Sequence, residues 1–228
     1  MPVSRPQPLI AITSDLMIRK DHETAYLTMT YARAVHNAGG IPVILPPVSD
    51  NPDTISALIT RFDAFILSGG DDPKTEPFGV PSHQKITPVL DARQSFETKL
   101  IKELHSNPHI PALGICLGMQ MLALTSGGSL NQYLPDTHPS HADHWKKQHP
   151  IISKNESILP SGTSFSAHHQ AVDNPGAYQV LATAPDGIIE AIHDPAAKFR
   201  LGIQWHPERT DDQNLGQNLF EKLIDAID

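Results

Sequence analysis

Short apolar runs alternate with amphipathic stretches through the first half of the chain. The predicted strands are residues 9–12, 41–45, 64–67 and 112–115, whose length and composition are typical of buried β-strands. The predicted helices are residues 24–38, 54–61, 96–105 and 117–125, in most of which apolar positions recur at three- and four-residue spacing. Strands that alternate with helices are typical of a parallel sheet covered on both faces, so the pattern predicts an α/β fold.

The pattern becomes rich in strands toward the C-terminus. The predicted strands there are residues 179–183, 188–193 and 200–205. The last segment, residues 211–227, carries an apolar residue at every fourth position from Leu215 to Ile227, which predicts an amphipathic helix. No internal repeat or low-complexity linker interrupts the chain. We therefore expect residues 1–228 to form one domain.

The only cysteine, Cys116, stands between a predicted strand and a predicted helix, in the sequence Gly-Ile-Cys-Leu-Gly. Glycine two positions before and after a nucleophile, at a strand-to-helix turn, is typical of a nucleophile elbow, whose tight backbone leaves no room for side chains there. The N-terminus of a helix also favours a thiolate. A lone cysteine is more often a small buried apolar residue. Because a candidate base and acid follow downstream, we predict that Cys116 is a nucleophile.

The candidate base and acid are His206 and Glu208, in the sequence Gln-Trp-His-Pro-Glu. Pro207 favours an extended backbone at His206. Residues two apart on an extended chain face the same side, so the two side chains can lie together. A carboxylate that accepts a hydrogen bond from one imidazole nitrogen leaves the other nitrogen free to face a thiol. The alternative is a surface histidine and glutamate beside a turn proline.

Composition and charge restrict the classes of partner that the chain is expected to bind. The formal net charge is −8 and no basic block is present, which argues against nucleic acid or an anionic membrane as a partner. One cysteine cannot form an internal disulfide, which suits a reducing compartment. The N-terminal stretch shows no signal peptide and the chain shows no membrane-spanning run. We therefore expect a cytoplasmic globular protein.

Two polar segments remain. The proline-containing stretch 71–88 predicts a long irregular loop of the kind that often shapes a binding site. The stretch 138–149 contains four of the thirteen histidines and invites a zinc hypothesis. It has no cysteine partner and lacks the spacing of a closed structural zinc module, so we predict a solvated polar loop and no metal.

Several motifs resemble those of the class I glutamine amidotransferase family, and within it the γ-glutamyl hydrolase branch, the peptidase C26-like group. The stretches that carry the resemblance are GICLGMQ (114–120), QWHPE (204–208), YARAVHNAGGIPVILPP (31–47), FDAFILSGGDD (62–72), SAHHQAV (166–172) and PDGIIEA (185–191). The resemblance covers nearly the whole chain. It implies a flavodoxin-like, doubly wound, mainly parallel sheet with helices on both faces. The β-rich C-terminal part would then carry the histidine and glutamate of the triad.

The resemblance also implies residue roles. Cys116, His206 and Glu208 would form the triad, and the backbone N–H groups of Leu117 and Gly70 the oxyanion hole. The substrate-binding residues would be Gln120, His168, His169 and Gln170. The substrate would be a small γ-glutamyl compound, cleaved through a γ-glutamyl thioester without a metal or an organic cofactor.

Two departures from the branch leave alternatives open. Leu117 stands where the branch usually has arginine, and this makes the sequence around Cys116 closer to amidotransferase subunits that feed ammonia to a synthase. In addition, Phe165-Ser166-Ala167 replaces the usual Asn-Ser before His168. The leading hypothesis is a self-standing γ-glutamyl amide hydrolase, with no necessary protein partner, although a homo-oligomer remains open. The alternatives are a glutaminase subunit that supplies a separate synthase, and a catalytically inactive binding module.

Overall fold

The computed structural model describes residues 6–227, which form thirteen strands and five α-helices joined by turns and short 3₁₀ segments. The strands are β1 (Leu9–Thr13), β2 (Asp15–Arg19), β3 (His22–Tyr26), β4 (Ile41–Leu45), β5 (Ala64–Leu67), β6 (Ala112–Ile115), β7 (Ser129–Asn131), β8 (Trp145–Ser153), β9 (Gly162–Ala167), β10 (Ala171–Asn174), β11 (Gln179–Thr183), β12 (Ile189–His193) and β13 (Arg200–Ile203). The helices are α1 (Met29–Asn37), α2 (Pro52–Ile59), α3 (Asp91–Ser106), α4 (Leu117–Thr125) and α5 (Gln217–Asp225).

One large sheet organises the described residues. Its strand order is β4-β1-β5-β6-β13-β12-β11-β8-β9, and β10 joins from the side through β12 and β7. The first five strands in this order are mutually parallel, whereas the pairs from β13 to β9 are antiparallel. The predicted α/β fold is therefore confirmed as a flavodoxin-like, mainly parallel sheet with an antiparallel extension.

Alternation along the strands builds a core on each face of the sheet. In β1 and β5, Ile10, Ile12 and Ile66 point toward a cluster that also contains buried residues of α1 and α5. The intervening residues Ala11 and Phe65 point toward a second cluster on the other face, with buried residues of α2, α3 and α4. Successive strand side chains face opposite sides, so a strand buried on both faces must be continuously apolar. This arrangement explains the apolar runs in the sequence.

The predicted helix over residues 24–38 is wrong at its start. Residues 22–26 form β3, which pairs with β2 in a separate hairpin, and α1 begins only at Met29. The hairpin turn consists of Lys20 and Asp21, both with positive φ, which is the geometry of a two-residue type I′ turn. Lysine followed by aspartate is not the usual Asn-Gly or Asp-Gly signal for that turn, so the sequence pattern concealed the hairpin.

Other differences arise from packing position. The predicted buried strand 41–45 is an edge strand, and Ile41 and Ile44 are exposed. The strand-rich part begins at β7 rather than near residue 179. The segment predicted as a polar loop continues into β8, and the polar residues at the exposed positions of β8 hid this strand in the sequence. The last helix begins at Gln217 rather than at residue 211, because the backbone of Gly216, with φ −112° and ψ −111°, lies outside the helical region. No helix formed by residues 6–227 has the length and apolar character needed to cross a membrane.

Helix α5 covers one face of the sheet through Leu219, which is fully buried. We predict that Leu219→Ala lowers the free energy of unfolding by about 2–5 kcal/mol, because it removes buried methyl groups and leaves a cavity. Urea unfolding followed by circular dichroism measures this change. The control is Glu221→Ala, which truncates an exposed residue of the same helix. Equal effects of the two substitutions would contradict the packing role of Leu219.

Candidate active site

Cys116 occupies a strained turn at the carboxyl end of β6, directly before α4. Its backbone has φ 52° and ψ −105°, in a region that residues other than glycine rarely adopt. Its N–H donates to the carbonyl oxygen of Ile203 at 2.8 Å, which ties the turn to β13. Strain of this kind persists only where the surroundings enforce it, and it is common at functional sites.

The glycines on either side of Cys116 allow this turn. A Cβ on Gly118 would overlap the carbonyl oxygen of Leu67, and a Cβ on Gly114 would lie 2.8 Å from the carbonyl carbon of Gly118. Helix α4 therefore packs with its backbone directly against β5 and β6. The first N–H groups of α4 point away from the helix body, and that of Leu117 makes no hydrogen bond within residues 6–227.

The fold brings His206 and Glu208 to the same place. Strand β13 pairs with β6 so that Ile203 lies beside Ile115, and the chain continues past both strand ends to His206. The His206 N–H donates to the carbonyl oxygen of Phe165 at 2.9 Å, and the imidazole Nδ1 lies 2.9 Å from Glu208 Oε1. The Glu208 carboxyl is almost fully buried, with 2% of its side chain exposed. The His–Glu pair expected from the sequence is thus present.

The surroundings of His206 favour its charged form. Burial opposes protonation, but the neighbouring side chains of Cys116 and Glu208 raise the pKa of His206 to about 10. An opposite charge in a desolvated site stabilises an imidazolium strongly. At neutral pH the imidazole therefore carries a proton that lies beside the thiol of Cys116.

The glycine loop that follows β5 forms the opposite wall. A Cβ on Gly69 would lie 3.1 Å from His206 Cε1 and 3.5 Å from Cys116 Cβ, so this backbone lies against both groups. The Gly69 N–H donates to the hydroxyl of Tyr31 at 3.1 Å. The N–H of Gly70 makes no hydrogen bond among the described residues. Two free backbone donors, at Gly70 and Leu117, therefore lie on the two segments that flank the thiol.

Arg93 holds the glycine loop in place and was not found from the sequence. Its guanidinium is fully buried, 2.9 Å from Asp15 Oδ1 and 3.0 Å from Glu97 Oε1. It also donates to the carbonyl oxygens of Ser68 at 3.0 Å and Gly69 at 3.1 Å. The sequence signal was an arginine and a glutamate four positions apart, but the predicted helix began at residue 96 and left Arg93 outside it.

A pocket of about 370 Å³ opens in front of the histidine and the glycine loop. Its lining combines polar and apolar surface and consists of Asp15, Tyr26, Leu27, Thr28, Thr30, Tyr31, Ser68, Gly69, Gly70, Asp71, Ala167, His206, Glu208 and Arg209. Burial, with the nearby carboxylates of Asp15 and Asp72, raises the pKa of Asp71. The hairpin that the sequence concealed thus supplies part of the pocket wall.

The four residues predicted to bind substrate lie behind or beside this pocket, and none of them lines it. Gln120 is buried and donates weakly to Gln204 Oε1 at 3.3 Å and to the Gln170 carbonyl oxygen at 3.4 Å. Neither amide atom of Gln170 has a hydrogen-bond partner among the described residues. His168 turns away into a buried cluster, and His169 lies 2.9 Å from Asp72 Oδ2. Substrate contact by these four residues stays a prediction.

Gln204 is a further site residue that sequence reasoning missed. Its side-chain nitrogen lies 3.5 Å from the Sγ of Cys116, and the residue is fully buried. An amide N–H directed at sulfur stabilises negative charge on it. The sequence feature that could have identified Gln204 is its position two residues before His206, because residues at this spacing lie on the same side of an extended segment.

The histidine-rich segment 138–149 is not the solvated loop that we predicted. His144 and His149 are buried, and together with His168 and Glu190 they form a group whose side-chain N and O atoms could hold a metal ion. The sequence concealed this because the partner residues come from two other strands. None of these four residues lines the pocket in front of His206 and the glycine loop.

A flavodoxin-like sheet with a cysteine at a strand-to-helix elbow defines the chain as a class I glutamine amidotransferase-like C–N hydrolase. Residues 8–208 match the Peptidase C26 family, and the chain belongs to that family. It is 33% identical to protein NtpR of Enterococcus hirae, over 95% of this chain and 98% of the relative. It is 28% identical to the γ-glutamyl-γ-aminobutyrate hydrolase PuuD of Escherichia coli, over 96% of this chain and 93% of that enzyme. A glutamine amidotransferase structure from Thermotoga maritima shares the fold, with a TM-score of 0.60 and 17% identity over 90% of this chain and 77% of that one.

Removing the buried charge of Arg93 should destabilise the protein. We predict that Arg93→Met lowers the free energy of unfolding by about 3–5 kcal/mol, because Asp15 and Glu97 would lose the cation that compensates their burial. Urea unfolding measures the change. Arg33→Met, at an exposed arginine, is the control. A loss of less than about 1 kcal/mol for Arg93→Met would contradict this account.

The raised pKa of His206 predicts a specific titration. NMR of the imidazole Cε1–H, assigned by its disappearance in His206→Gln, should follow an apparent pKa of about 10. The pKa should fall in both Cys116→Ala and Glu208→Gln, since each removes a side chain that favours the charged imidazole. The folded pKa lies above the unfolded value of about 6.5, so protonated His206 stabilises the fold below that pH, and this contribution is lost as pH rises through about 10. An unchanged titration in both variants would disprove the coupling.

Proposed function

We propose that this chain is a cysteine hydrolase that cleaves the γ-glutamyl amide bond of a small γ-glutamyl compound through a γ-glutamyl thioester. The observation that carries the proposal is the placement of Cys116 and of the hydrogen-bonded pair His206–Glu208 against the same glycine loop, between two free backbone donors. A nucleophile, a base that contacts it and a carboxylate that orients the base are the parts that acyl transfer requires.

The first half of the reaction uses the proton already on His206. The sulfur of Cys116 attacks the side-chain carbonyl carbon, and the carbonyl π electrons move to oxygen. The N–H groups of Leu117 and Gly70 bind this oxyanion, and one such donor is worth about 3–4 kcal/mol in comparable sites. The C–N bond then breaks as His206 gives its proton to the leaving nitrogen, which releases an amine or ammonia and leaves the thioester.

The second half restores the enzyme. The neutral imidazole of His206 takes a proton from water, and the resulting hydroxide attacks the thioester carbonyl. The C–S bond breaks and glutamate is released, while the proton on His206 again pairs with the sulfur. Glu208 keeps the imidazole oriented in both halves through its contact with Nδ1.

The pocket has groups suited to the amino-acid end of a γ-glutamyl substrate. The carboxylates of Asp15 and Asp71 suit an ammonium group, and the Arg209 guanidinium suits a carboxylate. Asp15 is already paired with Arg93, so Asp71 is the better partner for the substrate cation. Gln120 and Gln170, as expected from the sequence, would support the glutamyl group from behind, while His169 would act through Asp72.

Replacing the nucleophile tests the chemistry. We predict that Cys116→Ala and His206→Gln each lower kcat by at least about 10³-fold, since the residues of a triad act as one unit. His109→Gln, at an exposed histidine outside the pocket, should retain wild-type activity. Circular dichroism would confirm that each variant is folded. Retained turnover in Cys116→Ala would disprove the nucleophile assignment.

A substrate panel separates the candidate functions. Release of glutamate should be fast from at least one substituted amide, such as γ-glutamyl-putrescine, γ-glutamyl-γ-aminobutyrate or a γ-glutamyl peptide, and slow from glutamine. Added hydroxylamine should give γ-glutamyl hydroxamate, in a ratio to glutamate that does not depend on the leaving amine, because all substrates share one thioester. Use of glutamine alone, stimulated by a second protein, would instead identify a synthase subunit. No turnover of any amide would identify a binding module.

A further inference from the structure

Three histidines and one glutamate meet inside the antiparallel part of the sheet, away from Cys116. His144 precedes β8, His149 lies in β8, His168 follows β9, and Glu190 lies in β12. Their side chains are 2%, 6%, 2% and 0% exposed, respectively. One ligand-type atom from each residue lies within 4.8 Å of all the others. Four buried ionisable groups that converge in this way need a physical explanation.

The three distances from Glu190 to the histidines are close to the edge length of a tetrahedron of ligands, and the histidine nitrogens lie within 4.8 Å of one another. Glu190 Oε1 lies 3.1 Å from His144 Nδ1, 3.4 Å from His168 Nε2 and 3.6 Å from His149 Nε2. Zinc binds imidazole nitrogen and carboxylate oxygen at about 2.0–2.2 Å in a tetrahedron, which places neighbouring ligand atoms about 3.3–3.6 Å apart. The observed spacings therefore fit ligands around one ion with little movement.

The other nitrogen of each ring is already held by an acceptor. His149 Nδ1 lies 3.1 Å from the carbonyl oxygen of Pro150, and His168 Nδ1 lies 2.8 Å from that of Gln170. His144 Nε2 lies 2.9 Å from Asp186 Oδ2. These acceptors require N–H donors, so each ring in its neutral form directs the lone pair of its other nitrogen inward, toward the carboxylate. Carboxylates and carbonyls behind histidine ligands are the usual second partners at metal sites.

Most of the inward atoms make no hydrogen bond, although Glu190 Oε1 lies within ion-pair distance of all three rings. His144 Nδ1, His168 Nε2 and both carboxylate oxygens of Glu190 make no hydrogen bond within residues 6–227. His149 Nε2 alone is satisfied, by the hydroxyl of Ser166 at 2.7 Å. Unpartnered buried polar atoms destabilise a fold, and lone pairs facing a carboxylate repel each other. A cation at the centre would remove both problems.

We propose that His144, His149, His168 and Glu190 bind one Zn²⁺ ion. Three imidazoles select zinc over Mg²⁺ or Ca²⁺, which prefer oxygen ligands. Four protein ligands leave no open position, so the ion is structural and ties β8, β9 and β12 together. A pocket of about 210 Å³ lined by His144, His149 and Asp186 gives the ion a route from solvent. This proposal replaces our expectation from the sequence that the histidine-rich segment binds no metal.

Zinc binding to the Cys116→Ala protein tests the proposal directly. That substitution removes the only thiol, so zinc cannot be held by the proposed nucleophile. The untagged protein is stripped with a chelator and titrated with Zn²⁺ by calorimetry, with Mg²⁺ as the hard-ion control. We expect one Zn²⁺ per chain, a higher melting temperature with zinc, and no response to Mg²⁺. Absence of stoichiometric zinc binding would overturn the proposal.

Two variants locate the ion. In the same Cys116→Ala background, Glu190→Gln should weaken zinc binding at least about tenfold and abolish the zinc-dependent rise in melting temperature. His141→Gln is the matched control, because His141 lies in the same segment outside the group of four. Equal zinc affinity in the two variants would place the ion elsewhere and refute the site.

A spectroscopic measurement covers the case in which Glu190→Gln does not fold. Cobalt(II) added to the stripped Cys116→Ala protein should give the intense visible absorption of a four-coordinate site, without any sulfur-to-metal charge-transfer band. Zinc added afterwards should abolish this absorption by displacement. A weak six-coordinate spectrum, or a spectrum that zinc does not change, would contradict the proposal. Since no activity is measured, these outcomes are independent of the proposed hydrolase function.

Discussion

The direct contact between the start of α4 and the two central strands is the constraint on which the site depends. Gly118 lies so close to the carbonyl oxygen of Leu67 that no side chain fits between helix and sheet. The chain can reach this position from β6 only by bending sharply at Cys116, which takes up a positive φ. The buried apolar packing of α4 supplies the free energy that sustains the strain. The thiol of Cys116 is therefore held at the carboxyl end of the central strands, beside the free N–H group at the start of α4.

The electrostatics of the site depend on a second constraint, the buried Arg93. A fully buried guanidinium must be paired, and it is paired here with two carboxylates and two carbonyl oxygens. The carboxylates come from β2 and from α3, and the carbonyls from the glycine loop. One side chain thus joins the hairpin, a core helix and the loop whose Gly70 N–H faces the pocket. The positive charge also lies close to the acidic residues that line the pocket.

The antiparallel half of the sheet positions both the His206–Glu208 pair and the buried histidine cluster, and these two groups are structurally linked. The chain continues from β13 to His206 and Glu208, which lie near Cys116 at the carboxyl end of β6. Through β8, β9 and β12 it buries three histidines around Glu190. The segment that ends this cluster, residues 168–170, also contacts Gln120 behind the thiol. Order in the buried cluster therefore supports the back wall of the active site.

The local pattern of the sequence was sufficient for most elements of the parallel half of the fold and for the pairing of His206 with Glu208. Strands buried on both faces must be continuously apolar, and the elbow needs glycine at fixed positions, so β5, β6, α4 and Cys116 could be placed from their residues alone. Only the tertiary structure decided the rest. Arg93, Gln204 and the group around Glu190 depend on contacts between distant segments, and the hairpin before α1 depends on an unusual turn. The periodicity of apolar residues indicates which face of an element is buried, but it does not indicate which distant residues pack against that face.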